Sequence, residues 1–147
     1  MKLSTRGRYG ARALMELAKH YGQGPLSLKE ISGRQKIPLK YLEQIAMSLK
    51  DANLIKSVRG PSGGYELCRE PSSIHLLEIV ETLEGSMSFV HCVHDPTFCE
   101  RSGTCAFNDI WKKVAEETSR VLDSFSLTDM LKMDSEKKNS PIRCFED

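Results

Sequence analysis

The chain has 147 residues, of which 28% are charged and 39% hydrophobic, and its formal net charge is +1. This length suits one compact domain with an added element. No apolar run nears the ~20 residues that cross a bilayer, and the opening MKLSTRGRYGARALMELA lacks the unbroken apolar stretch of a signal peptide. A cytoplasmic protein with no membrane partner is therefore expected, in a compartment where disulfides rarely persist.

The charge is unevenly spread. Residues 1–70 carry 13 Lys and Arg against 6 Asp and Glu, whereas residues 71–147 carry 8 against 14. A basic front half suits phosphate binding, and an acidic back half is repelled by it.

In chain order, Ser4 or Thr5 caps a first helix predicted to run to about Tyr21, with Leu14, Leu17, Ala18 and Tyr21 as its buried stripe. Arg6, Arg8 and Arg12 lie at its start, and Gly22, Gly24 and Pro25 end it. Ser27 and Glu30 form a capping box that opens a short second helix at Leu28, ending near Gly33. Pro38 suits the first position of a third helix. Its inner face is Leu42, Ile45, Ala46 and Leu49, its outer face is Leu39, Lys40, Tyr41, Glu43, Gln44, Met47 and Lys50, and Asn53 caps its end.

A longer helix followed by two short ones with a tight connection is a helix-turn-helix pattern. The third helix is then the recognition helix, with Tyr41, Glu43 and Gln44 able to reach base edges or phosphates. Leu54–Val58 and Tyr65–Leu67 read as two short strands joined by the glycine-rich turn Arg59-Gly-Pro-Ser-Gly-Gly64. This hairpin is the wing of a winged helix, with Arg59 at its tip able to enter a minor groove. Lys2, Arg6, Leu39, Lys40, Tyr41, Glu43, Gln44, Lys50, Arg59 and Gly60 make up the expected contacts to double-stranded promoter DNA.

Pro71, Ser72 and Ser73 are expected to start a fourth helix with Leu76, Ile79, Val80 and Leu83 inward and Gly85 closing it, and His75 reads as a surface or capping histidine. Met87, Phe89 and Val90 are expected on the core. The stretch His91–Cys105, HCVHDPTFCERSGTC, follows, with Cys92, Cys99 and Cys105 spaced as C-x6-C-x5-C. Its Asp, Pro, Ser and Gly content predicts a loop, neither helix nor strand. Three chemistries suit it: an iron–sulfur cluster on the three thiolates, zinc on the same three with His91 or His94, or a cluster-free thiol sensor. Spacings longer than C-x2-C favour a loop wrapped round a cluster over a tight zinc knuckle.

The last long helix is predicted over about Ala106–Phe125. Trp111, Val114, Thr118, Val121 and Phe125 form a coiled-coil seam that Ile110, Ala115 and Leu122 widen. The front half already has material for a core, so this stripe predicts a two-fold homodimer. Ser126 caps a short helix over Leu127–Leu131. Residues 133–147 are expected to be a flexible tail in which Cys144 is an incidental thiol. The expected fold is mainly α with a small β-hairpin wing. Residues 1–85 form the winged helix-turn-helix, 86–105 the cysteine loop, 106–132 the dimerisation helix and short last helix, and 133–147 the tail. No nucleophile–base spacing supports an enzyme, and Arg59–Gly64 lacks the Lys-Ser/Thr ending of a phosphate-binding loop.

MKLSTRGRYGARALMELA, IPLKYLEQI, SVRGPSGGYEL and C-x6-C-x5-C followed by NDIWKKV together resemble the family of winged-helix regulators that includes IscR, NsrR and CymR. The resemblance runs from Met1 to about Leu131. It implies a homodimer that binds operator DNA near promoters, and the three cysteines resemble the family's cluster-bearing branch, with a 2Fe–2S or 4Fe–4S cluster changing DNA affinity or site choice. The chain departs at the fourth ligand. IscR-like proteins have a histidine three residues after the last cysteine, where Asn108 stands, and some NsrR-like proteins use an acidic residue where Arg8 stands. His91, His94, Asp95, Asn108, Asp109 and a thiol from outside the segment remain as candidates. A regulator, of the repressor kind by resemblance, is expected, with a non-regulatory iron–sulfur or zinc protein as the alternative class.

Overall fold

A computed structural model describes residues 3–88 and 90–139. Local capping sets the first element. The Ser4 side chain accepts a hydrogen bond from the Gly7 amide at 3.2 Å and starts α1 (Thr5–Lys19). Leu14, Leu17 and Ala18 are buried as expected, but the helix ends at Lys19, so Tyr21 lies beyond it and is exposed. The helix closes at the His20 C-cap, and Gly22 and Gly24, both at positive φ, turn the chain away just after Tyr21.

Helix α2 (Leu28–Gln35) begins with the complete Ser27/Glu30 capping box and runs two residues past Gly33 to a left-handed Lys36. Pro38 is the N-cap of α3 (Leu39–Asp51) rather than its first residue, and Asn53 takes the left-handed conformation just beyond its end. Leu42, Ile45, Ala46 and Leu49 are all buried. Strands β1 (Ile55–Val58) and β2 (Gly64–Leu67) pair antiparallel, Ile55 opposite Leu67 and Val58 opposite Gly64.

A third extended piece completes the wing. Leu26 exchanges two backbone hydrogen bonds with Tyr65, at 3.0 and 2.9 Å. A Cβ on Gly64 would stand 2.5 Å from the Leu26 carbonyl oxygen, so only glycine admits this approach.

Pro71–Ser73 form a single 3-10 turn instead of the first turn of the fourth helix. Ile74 is then extended and fully buried, and α4 (Leu76–Glu84) begins after His75. The chain straightens because Ile74 and Leu76 pair with the link between the last two helices. Leu76 donates to the Phe125 carbonyl and Leu127 to the Ile74 carbonyl, each at 2.8 Å. Ile79, Val80, Leu83 and Met87 are buried, and Phe89 lies outside the described residues.

The cysteine stretch is not a plain loop. It holds one helical turn, α5 (His91–His94), and a 3-10 turn at Pro96–Phe98. Helix α6 (Ala106–Asp123) ends two residues before Phe125. Helix α7 spans Leu127–Asn139, starting on a Ser126/Asp129 capping box, so residues 133–139 are helical where a flexible tail is expected from sequence. Leu127 is fully buried, Met130 and Leu131 pack on the core, and Asp134 pairs with Lys19 of α1 at 3.4 Å. Leu127, Met130 and Leu131 seat the start of the helix and Asp134 ties its next turn to α1, which carries the helix onward past Leu131. Residues 140–147, with Cys144, lie outside the described residues.

Candidate nucleic-acid interface and cysteine segment

The candidate recognition surface is built on the α1–α2–α3 core. Glu16 of α1, only 5% exposed, faces the end of α2. It accepts a hydrogen bond from Gln35 Nε2 at 2.7 Å and one from Lys19 Nζ at 3.0 Å, with Arg34 at 3.7 Å. Arg12 in turn donates to the side chain and backbone carbonyl of Gln35. This network joins α1 to the end of α2 and so sets where the turn into α3 begins.

Burial by itself raises the Glu16 carboxyl. The Lys19 and Gln35 hydrogen bonds and the Lys19 and Arg34 charges outweigh it and hold the group below its ordinary value of 4.5. Its stabilising contribution is therefore full above pH 4.5 and is lost as pH falls through the lowered folded value. Glu16→Gln is expected to be less stable at pH 7 by about 1–2 kcal/mol and to show a flatter acid limb. Denaturant melts from pH 7 to 3 check this, and parallel limbs for both proteins would refute it.

On α3, Leu39, Lys40, Glu43, Gln44, Met47 and Lys50 are exposed along one side, as the periodicity predicts. Tyr41 differs. Its ring is half-buried and meets Tyr9 edge-on, centroids 5.8 Å apart, while the Arg12 guanidinium lies 5.5 Å from the Tyr9 ring centre. Arg6 is held on the same surface by donating to Ser48 of α3. Arg59 and Gly60 are exposed in the wing turn, which the Gly63 amide closes onto the Gly60 carbonyl at 2.9 Å. Lys2 lies outside the described residues.

The cysteine segment stands between α4 and α6. Cys92, Cys99 and Cys105 are half-buried and none forms a disulfide; Cys68, at the end of β2, is exposed and also free. Cys105 is the N-cap of the 18-residue helix α6, where the helix dipole favours an anionic sulfur or cluster.

The fourth-ligand candidates separate by environment. His91 and His94 are exposed, and His91 stacks on Phe98 with centroids 5.1 Å apart. Asp95 caps the 3-10 turn, accepting from the Thr97 hydroxyl and amide at 2.6 and 2.9 Å. Those two hydrogen bonds hold its carboxyl below the ordinary carboxylate value. Asp109 is exposed in the first turn of α6.

Asn108 alone is buried, at 1% exposure. Its Nδ2 donates to the Cys92 carbonyl at 3.1 Å, and its Oδ1 has no hydrogen-bond partner. An orphaned buried acceptor beside Cys92 carries a cost of about 1–3 kcal/mol. In the sequence Asn108 is one of several candidates; only the fold distinguishes it. The three unpaired thiols fit an iron–sulfur cluster in donor chemistry, whereas the neutral amide of Asn108 is not among the ligands such clusters ordinarily take. Among the described residues no three potential donors stand close enough to hold a metal ion, so the segment must close further to do so.

At 100° per residue, Ala115 and Leu122 lie within about 40° of the buried Asn108 on α6 and both are half-buried, as are Val114 and Thr118 of the stripe. Phe107, Ile110, Trp111 and Val121 are exposed, Phe107 at 68% and Val121 at 58%. No helix among the described residues is long and apolar enough to cross a membrane.

Residues 3–133 match the family described as "Rrf2: Iron-dependent Transcriptional regulator". The HTH-type transcriptional regulator CymR of Bacillus subtilis (strain 168) is 40% identical over 130 residues, covering 88% of this chain and 89% of CymR. The solved structure of that organism's CymR, described as its global cysteine regulator, superposes with a TM-score of 0.75 at 38% identity, over 90% of this chain and 98% of that one. The structure of T. potens IscR superposes with a TM-score of 0.76 at 42% identity, over 97% and 93%. The relatives are named as transcriptional regulators and not as enzymes.

Proposed function

This chain belongs to the Rrf2 family of transcriptional regulators, and from that premise we propose that it is a cytoplasmic, homodimeric repressor whose binding to promoter DNA is switched by an iron–sulfur cluster. Three half-buried, unpaired thiols between the DNA-reading core and the exposed face of α6 carry this reading. Residues 1–85 read DNA, 86–105 hold the cluster on Cys92, Cys99 and Cys105, and α6 forms the dimer. When bound, a cluster supplies a centre whose assembly and loss report iron supply, oxidants or nitric oxide. The chain's own part is to hold the segment closed between α4 and α6 and so to set the spacing or tilt of two recognition helices.

Leu39, Lys40, Tyr41, Glu43, Gln44 and Lys50 meet the major groove and its backbone, Lys2 and Arg6 the flanking phosphates, and Arg59 and Gly60 the minor groove. Tyr41, braced by Tyr9, offers its hydroxyl edge rather than a free ring. Arg59→Ala is expected to weaken binding about tenfold and to lower the salt slope by about one. Titration of a duplex selected from a random pool, at two or more salt concentrations, reads both, and an unchanged slope would count against the wing contact.

A second reading has a specific observation behind it. The donors are not gathered among the described residues, and the similar CymR is described as a cysteine regulator. A cluster-free thiol sensor of the same fold accounts for both. Anaerobic purification with an absorption spectrum and counts of iron, acid-labile sulfide and zinc decides between the two. Iron with sulfide supports the cluster, zinc alone replaces it, and neither leaves the thiol sensor.

A further inference from the structure

We propose that Glu84 is a positioning residue that couples the cysteine segment to the DNA-facing helices, by capping α1 from the far end of α4. The proposal rests on the reading of α1 and α3 as DNA-facing. Glu84 is the last residue of α4. Its Oε1 accepts from the Ser4 amide at 3.1 Å, the Ser4 hydroxyl at 2.6 Å and the Gly7 amide at 3.0 Å. A carboxylate from 80 residues away thus satisfies the open donors at the N-terminus of α1, at the positive end of its dipole.

Both side chains at the end of α4 lie against glycines of α1. A Cβ on Gly7 would lie 2.2 Å from Glu84 Oε1, and one on Gly10 would lie 2.2 Å from Leu83 Cδ1. The end of α4 is therefore seated directly on the α1 backbone. On the DNA side, Arg6 in the same first turn donates to Ser48 of α3. On the other side, Gly85 leads at once into Ser86, Met87 and Ser88, which line a groove of about 580 Å³ against α6 together with Val93. Cys92 is tied to α6 through Asn108. Hydrogen bonds thus run from Glu84 through the first turn of α1 to the recognition helix, and the short stretch 85–91 joins Glu84 along the backbone to the cysteine segment.

The test is amide hydrogen exchange on the full chain in its reduced, metal-free form, which needs neither cluster nor DNA. Glu84→Ala is expected to speed exchange about tenfold or more at residues 4–8 and around Ser48, while Glu84→Gln, which keeps the acceptor oxygen, stays within about twofold. Ser4→Ala gives the same pattern at smaller amplitude. Asn108→Ala, which frees the Cys92 carbonyl, is expected to speed exchange at residues 4–8 in the wild-type background and to add nothing in Glu84→Ala. Equal effects of Asn108→Ala in both backgrounds overturn the proposal. So does a Glu84→Ala effect confined to residues 84–90 or spread evenly over the molecule.

A separate arm titrates a duplex selected by the wild-type chain from a random pool, with Glu84→Ala expected to bind about tenfold more weakly and Glu84→Gln near wild type. Affinity unchanged by Glu84→Ala overturns the coupling to DNA. A wild-type chain that selects no duplex refutes the DNA-binding reading instead, and the exchange experiment still decides the link through Glu84.

Discussion

Ile110→Glu combined with Val121→Glu is expected to yield a folded monomer that has lost DNA affinity by about a hundredfold or more. Ile110 and Val121 stand on the outer side of α6 with Phe107 and Trp111, and all four are exposed within one chain. Fully burying one such side chain contributes about 1.5–3 kcal/mol, so a second copy laid along this face gains several such terms against the cost of association. A glutamate in the middle of that face has to be desolvated without a partner, at a cost of about 3–5 kcal/mol per buried charge.

The monomer itself has little reason to suffer, because both positions already face water. The melting midpoint of a dilute, dissociated sample should therefore match that of the wild-type monomer. Light scattering over a concentration series reads the mass, and titration of the selected duplex reads the affinity. The loss of affinity follows from geometry, since two linked recognition helices engage paired half-sites at high effective concentration. A double variant that stays dimeric at micromolar concentration refutes the assignment of this face.

Cys92→Ser and Cys105→Ser are each expected to retain less than about a tenth of the wild-type iron, because a serine oxygen is a poor replacement for the thiolate that iron–sulfur clusters use. DNA affinity should then no longer differ between aerobic and anaerobic preparations. Cys68→Ser is the control. Cys68 is exposed at the end of β2, outside the segment between α4 and α6, and its removal should leave the iron count unchanged. Iron and sulfide counts with the visible spectrum read the first effect, and duplex titration reads the second. Serine variants that keep both iron and sulfide would sink the ligand assignment. Serine variants with no metal to lose, in a wild type that also holds none, would leave the thiol sensor.

Much of the DNA reader is legible in the residue order because its signals are local. Ser27 and Glu30 cap α2 within three residues of each other, Leu42, Ile45, Ala46 and Leu49 repeat at helical spacing, and the glycines of 60–64 mark the hairpin turn. Each is a hydrogen bond or a periodicity spanning one or two turns, so residue order alone determines it. The C-x6-C-x5-C spacing of the three cysteines is legible for the same reason.

What only the tertiary structure decided depends on groups far apart in the chain. Residues 133–139 carry no apolar stripe, yet α7 runs through them because Met130 and Leu131 reach the core and Asp134 reaches Lys19. Leu26 joins the wing and Ile74 leaves the helix to pair with Leu127, each because a distant backbone is there to receive it. The same holds for Asn108 and Glu84. Their types and positions are plain in the sequence, but burial beside Cys92 for one and three donors from α1 for the other arise from packing, which short-range signals do not encode. Local order thus set the elements, and packing decided which polar groups were left to connect them.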